Sequence, residues 1–254
     1  MPIFMDRHNL TGVTASDIAE AHRKDLEIQD QYGVKFLTYW FDEQRGTTFC
    51  LIDAPDKEAA QCVHRDAHGF VAEEIVEVAP SVVEAFLGRV LDPEPPAGSQ
   101  AAEMDTAHRT IMFTDMVGST RMTERLGDRI ATELVRAHDS IVRRCLTRRG
   151  GREVKHTGDG IMASFASAKE AIDCAIDIQA GFERYNGGNP EPIHVRIGLD
   201  CGEPVEDRTT SSARRSNSPP GCVPRRPATI SWCRRIFTGS TAPPAPSCRR
   251  NDGV

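Results

Sequence analysis

Arg109-Thr-Ile-Met-Phe-Thr-Asp115-Met-Val-Gly118-Ser119-Thr120 is an apolar run that ends on a single acid just before a Gly-Ser-Thr turn. Further along, Glu153-Val-Lys155-His-Thr-Gly158-Asp159-Gly160 leads into the apolar Ile161-Met-Ala-Ser-Phe165. The first stretch predicts a strand; the second predicts two strands joined by a Thr-Gly-Asp-Gly turn, a strong hairpin signal. Folded side by side, the pieces bring Asp115 and Asp159 within reach of one another. Two carboxylates that close repel unless a divalent cation sits between them, and hard oxygen ligands suit Mg²⁺ or Mn²⁺. Gly118, Ser119 and Thr120 can open a helix whose free backbone N–H groups face a phosphate. The pattern is that of a phosphate-plus-metal site.

The motif from Phe113 to Thr120, taken with Lys155-His-Thr-Gly-Asp159-Gly160, resembles the catalytic domain of class III nucleotidyl cyclases from about Arg109 to Asp207. The resemblance implies conversion of ATP to cyclic AMP and pyrophosphate at a homodimer interface. It implies that Asp115 and Asp159 hold two Mg²⁺ or Mn²⁺ ions and that Lys155 contacts the base. The preference for ATP over GTP rests on Lys155 alone.

Outward from this centre, Thr120 to about Arg149 reads as one long helix and Gly150-Gly151 returns the chain to the hairpin. Ser167 to Tyr185 reads as a further helix and Ile193 to Leu199 as a strand. Upstream, residues 2–80 read as a small βαββαβ unit. Its strands fall near residues 3–5, 34–41, 47–52 and 72–78, with helices opened at Thr14-Ala-Ser16-Asp17 and at Asp53-Ala-Pro55-Asp56. A helix over Ser81–Leu91 and a Pro-rich linker, 91–106, follow. The expected fold is α+β: two ferredoxin-like units in tandem, 1–90 and 107–207, the second an incomplete cyclase fold, then a disordered tail, 208–254.

In the first unit His64 and His68 are four apart on a predicted helix and share a face. Imidazole suits Ni²⁺ or Zn²⁺, and His8 and His22 are the residues that would complete such a site, within the chain or across a subunit interface. The pieces around His8, His22 and His64 resemble a small family of bacterial ferredoxin-like proteins that bind nickel. Against this stands the ordinary reading of solvated helical histidines, with Cys50 and Cys62 as core thiols. A metal-binding or stress-sensing homo-oligomer without enzymatic activity is therefore the alternative function.

Composition sets the frame. The 254 residues suffice for two small domains. No apolar run approaches a membrane span, and the N-terminus is no signal peptide. Eight cysteines without paired spacing fit a reducing cytoplasm. From Arg208 onward there are nine Arg, no Lys and one Asp, a balance of +8; the remaining 22 basic and 36 acidic side chains give -14. A basic tail can touch nucleic acid or acidic lipid, but neither is an expected partner here, because the tail has a sharper explanation. Thr209 to Cys222 can be encoded so that the frame one base earlier spells Asn-Asp-Leu-Phe-Gly-Ser-Ala-Val and then Gln-Leu-Ala-Ala-Arg-Leu. This is the next motif of a class III cyclase, and a frameshifted tail is the resulting expectation. The lost segment would carry a second base-reading residue, a ribose-positioning Asn or Gln and a transition-state Arg, so this chain is expected to be impaired.

Overall fold

The structure, a computed structural model, describes residues 1–93 and 105–203. The tail from 208 to 254 and most of the linker lie outside the described residues. The first unit comprises β1 (Ile3–Asn9), α1 (Ala15–Ile28), β2 (Lys35–Asp42), β3 (Thr47–Asp53), α2 (Lys57–Ala67) and β4 (Glu74–Glu77). Its sheet runs β2-β3-β1-β4 with every neighbour antiparallel. After α3 (Pro80–Leu87) the order repeats as β5 (Arg109–Met116), α4 (Ser119–Arg148), β6 (Arg152–His156), β7 (Ile161–Phe165), α5 (Ala168–Asn186) and β8 (Val195–Gly202). The second sheet runs β6-β7-β5-β8, again antiparallel throughout. Both units therefore have the expected ferredoxin-like βαββαβ arrangement. No helix among the described residues is long and apolar enough to cross a membrane.

Local sequence explains most boundaries. Thr14 caps α1 in a reciprocal box with Asp17, and Asp56 caps α2 through the Ala59 amide; such caps contribute about 1 kcal/mol each. Three expectations need correction. The helix beginning near Thr120 is not continuous: Gly127 leaves helical geometry (φ 76°, ψ 162°), so α4 is kinked. Periodicity hid the break because Leu126 and Ile130 pack against the same core on either side of it. The helix after residue 80 stops at Leu87, not Leu91, where the chain turns through a left-handed Gly88. The fourth strand pairs only over Glu74–Glu77.

Alternation along the strands divides the first sheet's two faces. Phe4, Cys50 and Ile52 face α1 and α2 and meet Ile18, Ala60 and Val63. Met5, Trp40, Phe49 and Leu51 face the other way, into one core with Val83, Phe86 and Leu87 of α3 and with Ala107 and Ile111 of the second unit. The two units thus share a core, with α3 between their sheets. Ser164 on β7 fixes the seam, its hydroxyl lying 3.0 Å from the Ala85 carbonyl and 2.9 Å from that of Phe86. The far face of the second sheet packs Met112, Ile161 and Phe165 against Leu134, Ile141 and Ile178 of α4 and α5.

Candidate functional sites

The face of β1 that carries Phe4 also carries Asp6 and His8, two polar residues set under α1 and α2 where apolar side chains would be usual. Both are buried, as are His22 and Asp25 from α1 and His64 from α2. Register places Asp6 opposite Cys50 on β3. His64 Nε2 lies 2.7 Å from Asp6 Oδ2, and its Nδ1 lies 3.3 Å from Asp25 Oδ1. His68 Nε2 lies 3.2 Å from Asp25 Oδ2. All four histidines named from the sequence therefore converge in one pocket within one chain. They are not solvated, and no subunit interface is needed to assemble them.

The electrostatics are those of a neutralised cluster. Burial pushes the Asp6 carboxyl up, but His8 and His64 outweigh it and hold the group far below the usual carboxylate range. Burial disfavours a charged His64, yet Asp6 and Asp25 reverse this and raise it to about 10. Asp25, raised by burial, is lowered on balance by its bonds to His64 and His68. Burial, with the Asp6 charge beside it, pushes the Cys50 thiol well up. Without a metal, His64 is thus an imidazolium bridging two carboxylates, which satisfies charges that would otherwise be costly to bury.

The pocket also contains unspent donors. Both ring nitrogens of His8 and Nδ1 of His22 are buried without a hydrogen bond; His8 Nε2 lies 3.3 Å from Asp6 Oδ1, and Asp25 Oδ1 faces His64 and His68 at 3.3 and 3.1 Å. These residues, with Cys50, His64 and His68, line a cavity of about 20 Å³, room for one ion or water. Two ligand groupings emerge: Asp6, His8, Cys50 and His64, and Asp25, His64 and His68. Mixed imidazole, carboxylate and thiol donors fit a divalent transition ion such as Ni²⁺ or Zn²⁺. Binding one would displace the His64 proton and those of any other protonated ligand.

The second candidate lies at the end of β5. The Met116 amide donates to the Asp159 carbonyl at 3.0 Å, and the Ile161 amide donates to Thr114 Oγ1 at 2.9 Å, so the β6–β7 turn is pinned beside Asp115. Gly160 permits this approach: a Cβ there would stand 1.9 Å from the Thr114 carbonyl oxygen. The expected four-residue turn, Thr157–Gly160, is present between β6 and β7. Asp115 is exposed, and among the described residues its carboxylate makes no hydrogen bond or ion pair. Asp159 is half-buried and accepts a 2.5 Å bond from Ser119 Oγ. Gly118 starts α4 without a side-chain cap, which leaves the first-turn N–H groups open to an anion. Thr120 and Lys155 are exposed, and Lys155 pairs with Met162 across the hairpin. Two hard carboxylates at the surface suit Mg²⁺ or Mn²⁺, with water and phosphate oxygens supplying the remaining ligands.

Sequence reasoning missed several participants. Asp6 and Asp25 were findable, since Asp6 alternates with His8 on a strand and Asp25 lies three residues from His22 on a helix. A chain of polar contacts that starts from a buried histidine beside the second site was also missed. His138 is fully buried, with Nε2 3.4 Å from Thr114 Oγ1 and Nδ1 3.0 Å from Asp139 Oδ1. Asp139 Oδ2 in turn lies 2.9 Å from His156 Nε2. The signal was a histidine within the apolar stripe of α4, between Leu134 and Ile141.

Comparison with known proteins finds a separate family match for each unit. Residues 4–78 match the family of the nickel responsive protein SCO4226-like, and residues 102–215 match the adenylate and guanylate cyclase catalytic domain. The second match runs past Asp207, where the motifs read from the sequence end. An adenylate cyclase of Podospora anserina is 31% identical over 144 residues, covering 49% of this chain and 6% of that protein. The chain therefore spans only a small fraction of that relative. The crystal structure of SCO4226 from Streptomyces coelicolor A3(2) is 40% identical, covering 30% of this chain and 94% of that one, with a TM-score of 0.29. A bacterial light-regulated adenylyl cyclase is 28% identical, covering 42% of this chain and 59% of that one, with a TM-score of 0.37. This chain joins an SCO4226-like domain to an adenylate and guanylate cyclase catalytic domain.

Proposed function

We propose that the chain is a nucleotidyl cyclase of the class III type whose first unit binds a divalent transition metal, and that its reaction makes cyclic AMP and pyrophosphate from ATP in a homodimer. The observation that carries the reading is the meeting of the Asp115 strand end with the Asp159 turn, beside an uncapped helix N-terminus. In the reaction the ribose 3′ oxygen attacks the α-phosphorus, the bond to pyrophosphate breaks, and the 3′ proton leaves to solvent. Asp115 and Asp159 would hold the ions, with Ser119 keeping the Asp159 carboxylate oriented; bound there, Mg²⁺ or Mn²⁺ would supply positive charge to the attacking and leaving oxygens. The first turn of α4, Gly118 to Thr120, receives phosphate oxygens, and Lys155 reads the base. Phe113 and Val117, apolar yet 44% and 46% exposed on either side of Asp115, suit the approach of a second copy.

The chain as written is impaired in this reading. The second base-reading residue, the ribose-positioning residue and the transition-state Arg of the resemblance would be encoded after Asp207 in the other frame. A donor aimed at transition-state charge is worth about 10²–10³ in rate, and Lys155 alone does not replace three such groups. The test is cyclic AMP formation from ATP and Mn²⁺ by this chain and by a version with the frame restored after Asp207. The restored chain is expected to be active and its Asp115→Ala and Asp159→Ala variants inactive. Equal activity in the two chains overturns the frameshift reading, and full activity in either variant overturns the two-ion assignment.

For the first unit, the orphaned His8 and His22 nitrogens beside the cavity support a resident ion, and the match to a nickel-responsive family favours Ni²⁺. Asp6, His8, Cys50, His64, Asp25, His68 and His22 form the donor set from which its ligands come. Nickel titration of the full chain by calorimetry tests this, and unchanged affinity in a His8→Ala, His64→Ala double variant removes these residues from the site.

A further inference from the structure

His22 differs from the other pocket histidines in where its second nitrogen goes. Its Nε2 lies 3.2 Å from Asp92 Oδ2, while its Nδ1 is buried, without a partner, in a residue that lines the cavity. Asp92 does not belong to the first unit: it lies beyond residues 4–78, in the segment that leads from α3 toward β5. We propose that Asp92 is a positioning residue for the metal pocket, holding the Nε2–H of His22 so that Nδ1 is the free ligand, and that metal occupancy thereby tightens the connector to the cyclase domain. The proposal rests on the reading of the pocket as a metal site.

The chemistry is that of a carboxylate–histidine–metal arrangement. A carboxylate on one ring nitrogen fixes the tautomer, locks the ring plane and makes the other nitrogen a better donor. Asp6 bears the same relation to His64, through Nε2 at 2.7 Å, but from inside the unit. Once Nδ1 binds a cation, the ring loses electron density and Nε2–H becomes a stronger donor toward Asp92. By linkage, whatever Asp92 contributes to metal affinity the metal returns to the docking of Asp92.

That docking is structural. The Asp92 amide donates to the Leu37 carbonyl at 3.0 Å on β2. Three residues earlier, Arg89 donates to the Tyr39 carbonyl at 2.6 Å and stacks 4.5 Å over the Trp40 ring. Arg89 also lies 3.2 Å from Asp105 Oδ1, and Asp105 Oδ2 accepts from Arg109 at 2.5 Å. The same Arg109 donates to the Leu87 carbonyl at 2.9 Å and begins β5, the strand that carries Asp115. The His22–Asp92 bond and, three residues back along the backbone, the Arg89–Asp105–Arg109 ion pairs therefore link the ring of His22 to the base of β5.

The test uses the full chain and Ni²⁺ as the probe. Calorimetry is run on the wild type, on His8→Ala and on Asp92→Asn. Asp92→Asn is expected to weaken Ni²⁺ binding about 10- to 100-fold. Hydrogen exchange is followed in parallel: Ni²⁺ should slow exchange of the Asp92 amide in the wild type, by no more than the same factor, and leave it unchanged in Asp92→Asn. Wild-type affinity in Asp92→Asn overturns the proposal while leaving the metal site standing, and so does connector exchange that ignores Ni²⁺ in the wild type. Failure of the wild-type chain to bind Ni²⁺ overturns the metal site and this inference with it. Loss of binding in His8→Ala with the exchange pattern intact in the wild type supports both.

Discussion

The two units share a topology and put their carboxylates to opposite uses. Asp6 and Asp25 lie under α1 and α2, each against an imidazole, with Asp6 and His64 both 1% exposed. Asp115 stands in solvent at the end of the equivalent strand, and among the described residues the carboxylate of its neighbour Asp159 is bonded by Ser119 alone. The buried pair is already neutralised by protein, so the charges there are part of what holds the fold together. Among the described residues the exposed pair has no cation that neutralises it, so it contributes little to folding and is open to a cation from outside. The contrast assigns different costs to the same substitution.

Asp6→Asn strips His64 of its closest counterion and leaves an imidazolium buried beside Asp25 alone. Breaking a buried pair in this way costs roughly 3–5 kcal/mol. Asp115→Asn changes an exposed, unpartnered group and should alter stability by no more than about 0.5 kcal/mol. Denaturant unfolding of the metal-free full chain, read from the first unit's Trp40, measures both. Equal midpoints for the two variants would break the comparison at its root.

Next comes Gly160→Ala. The added methyl meets the Thr114 carbonyl oxygen at 1.9 Å and its carbon at 2.9 Å, both backbone atoms that cannot rotate away. The turn and the end of β5 would have to part, at a cost of about 2–3 kcal/mol for overpacking of this kind. The loss should appear as a lower Tm together with loss of any nucleotide binding. A variant of wild-type Tm would show that the Asp115–Asp159 meeting is not set by this contact.

How much of this was legible in the sequence follows from how local each signal is. The Thr157–Gly160 hairpin and the capping of α1 are encoded within a few residues, and both are where the sequence puts them. His64 and His68 share a helix face by spacing alone. Their burial could not be read, because the groups that make burial tolerable, Asp6 and Asp25, come from distant segments. The kink at Gly127 was hidden by apolar residues that stay in step across it. Trp40 and Ile111, which meet in the shared core, are separated by the whole connector, and no periodicity within either unit announces that partnership. The Asp92–His22 contact was invisible for the same reason, since it joins a residue of the connector to one of α1.

The buried cluster also sets a pH dependence. The folded chain holds His64 at about 10, against about 6.5 in an unfolded chain. A raised value means that the folded state binds the proton more tightly. Its stabilisation is therefore fully present below about pH 6.5 and is lost as pH rises toward 10. Asp6 is shifted the other way, so its contribution is present above its ordinary 3.8 and is lost as pH falls below it. Stability of the metal-free chain should be greatest between roughly pH 4 and 6.5 and decline through pH 9, by a Tm change of roughly 2–4 °C per kcal/mol. His64→Asn should remove most of the alkaline slope. A Tm that is flat or rising between pH 6.5 and 9 would contradict the bridging imidazolium.

The smallest effect expected is at Ser119, and it sharpens the contrast most finely. Its hydroxyl donates to Asp159 Oδ2 at 2.5 Å, a bond to a carboxylate that water can also reach. Bonds to charged groups contribute about 1.5–3 kcal/mol when shielded. Asp159 is half-exposed, so the stability lost in Ser119→Ala should be nearer 1 kcal/mol or less. Function should suffer more than stability, because the bond fixes one of the two carboxylates in the proposed ion site. In the frame-restored chain Ser119→Ala should raise the Mn²⁺ concentration needed for half-maximal cyclic AMP formation severalfold, with saturating Mn²⁺ recovering most of the rate. Ser119→Thr keeps a hydroxyl at the same place and should recover the metal dependence. The equivalent loss in the first unit cannot be rescued by metal concentration alone, because there the orienting groups also hold the fold. A Ser119→Ala chain whose Mn²⁺ dependence matches the parent would show that Asp159 is positioned by the β6–β7 turn without help from α4.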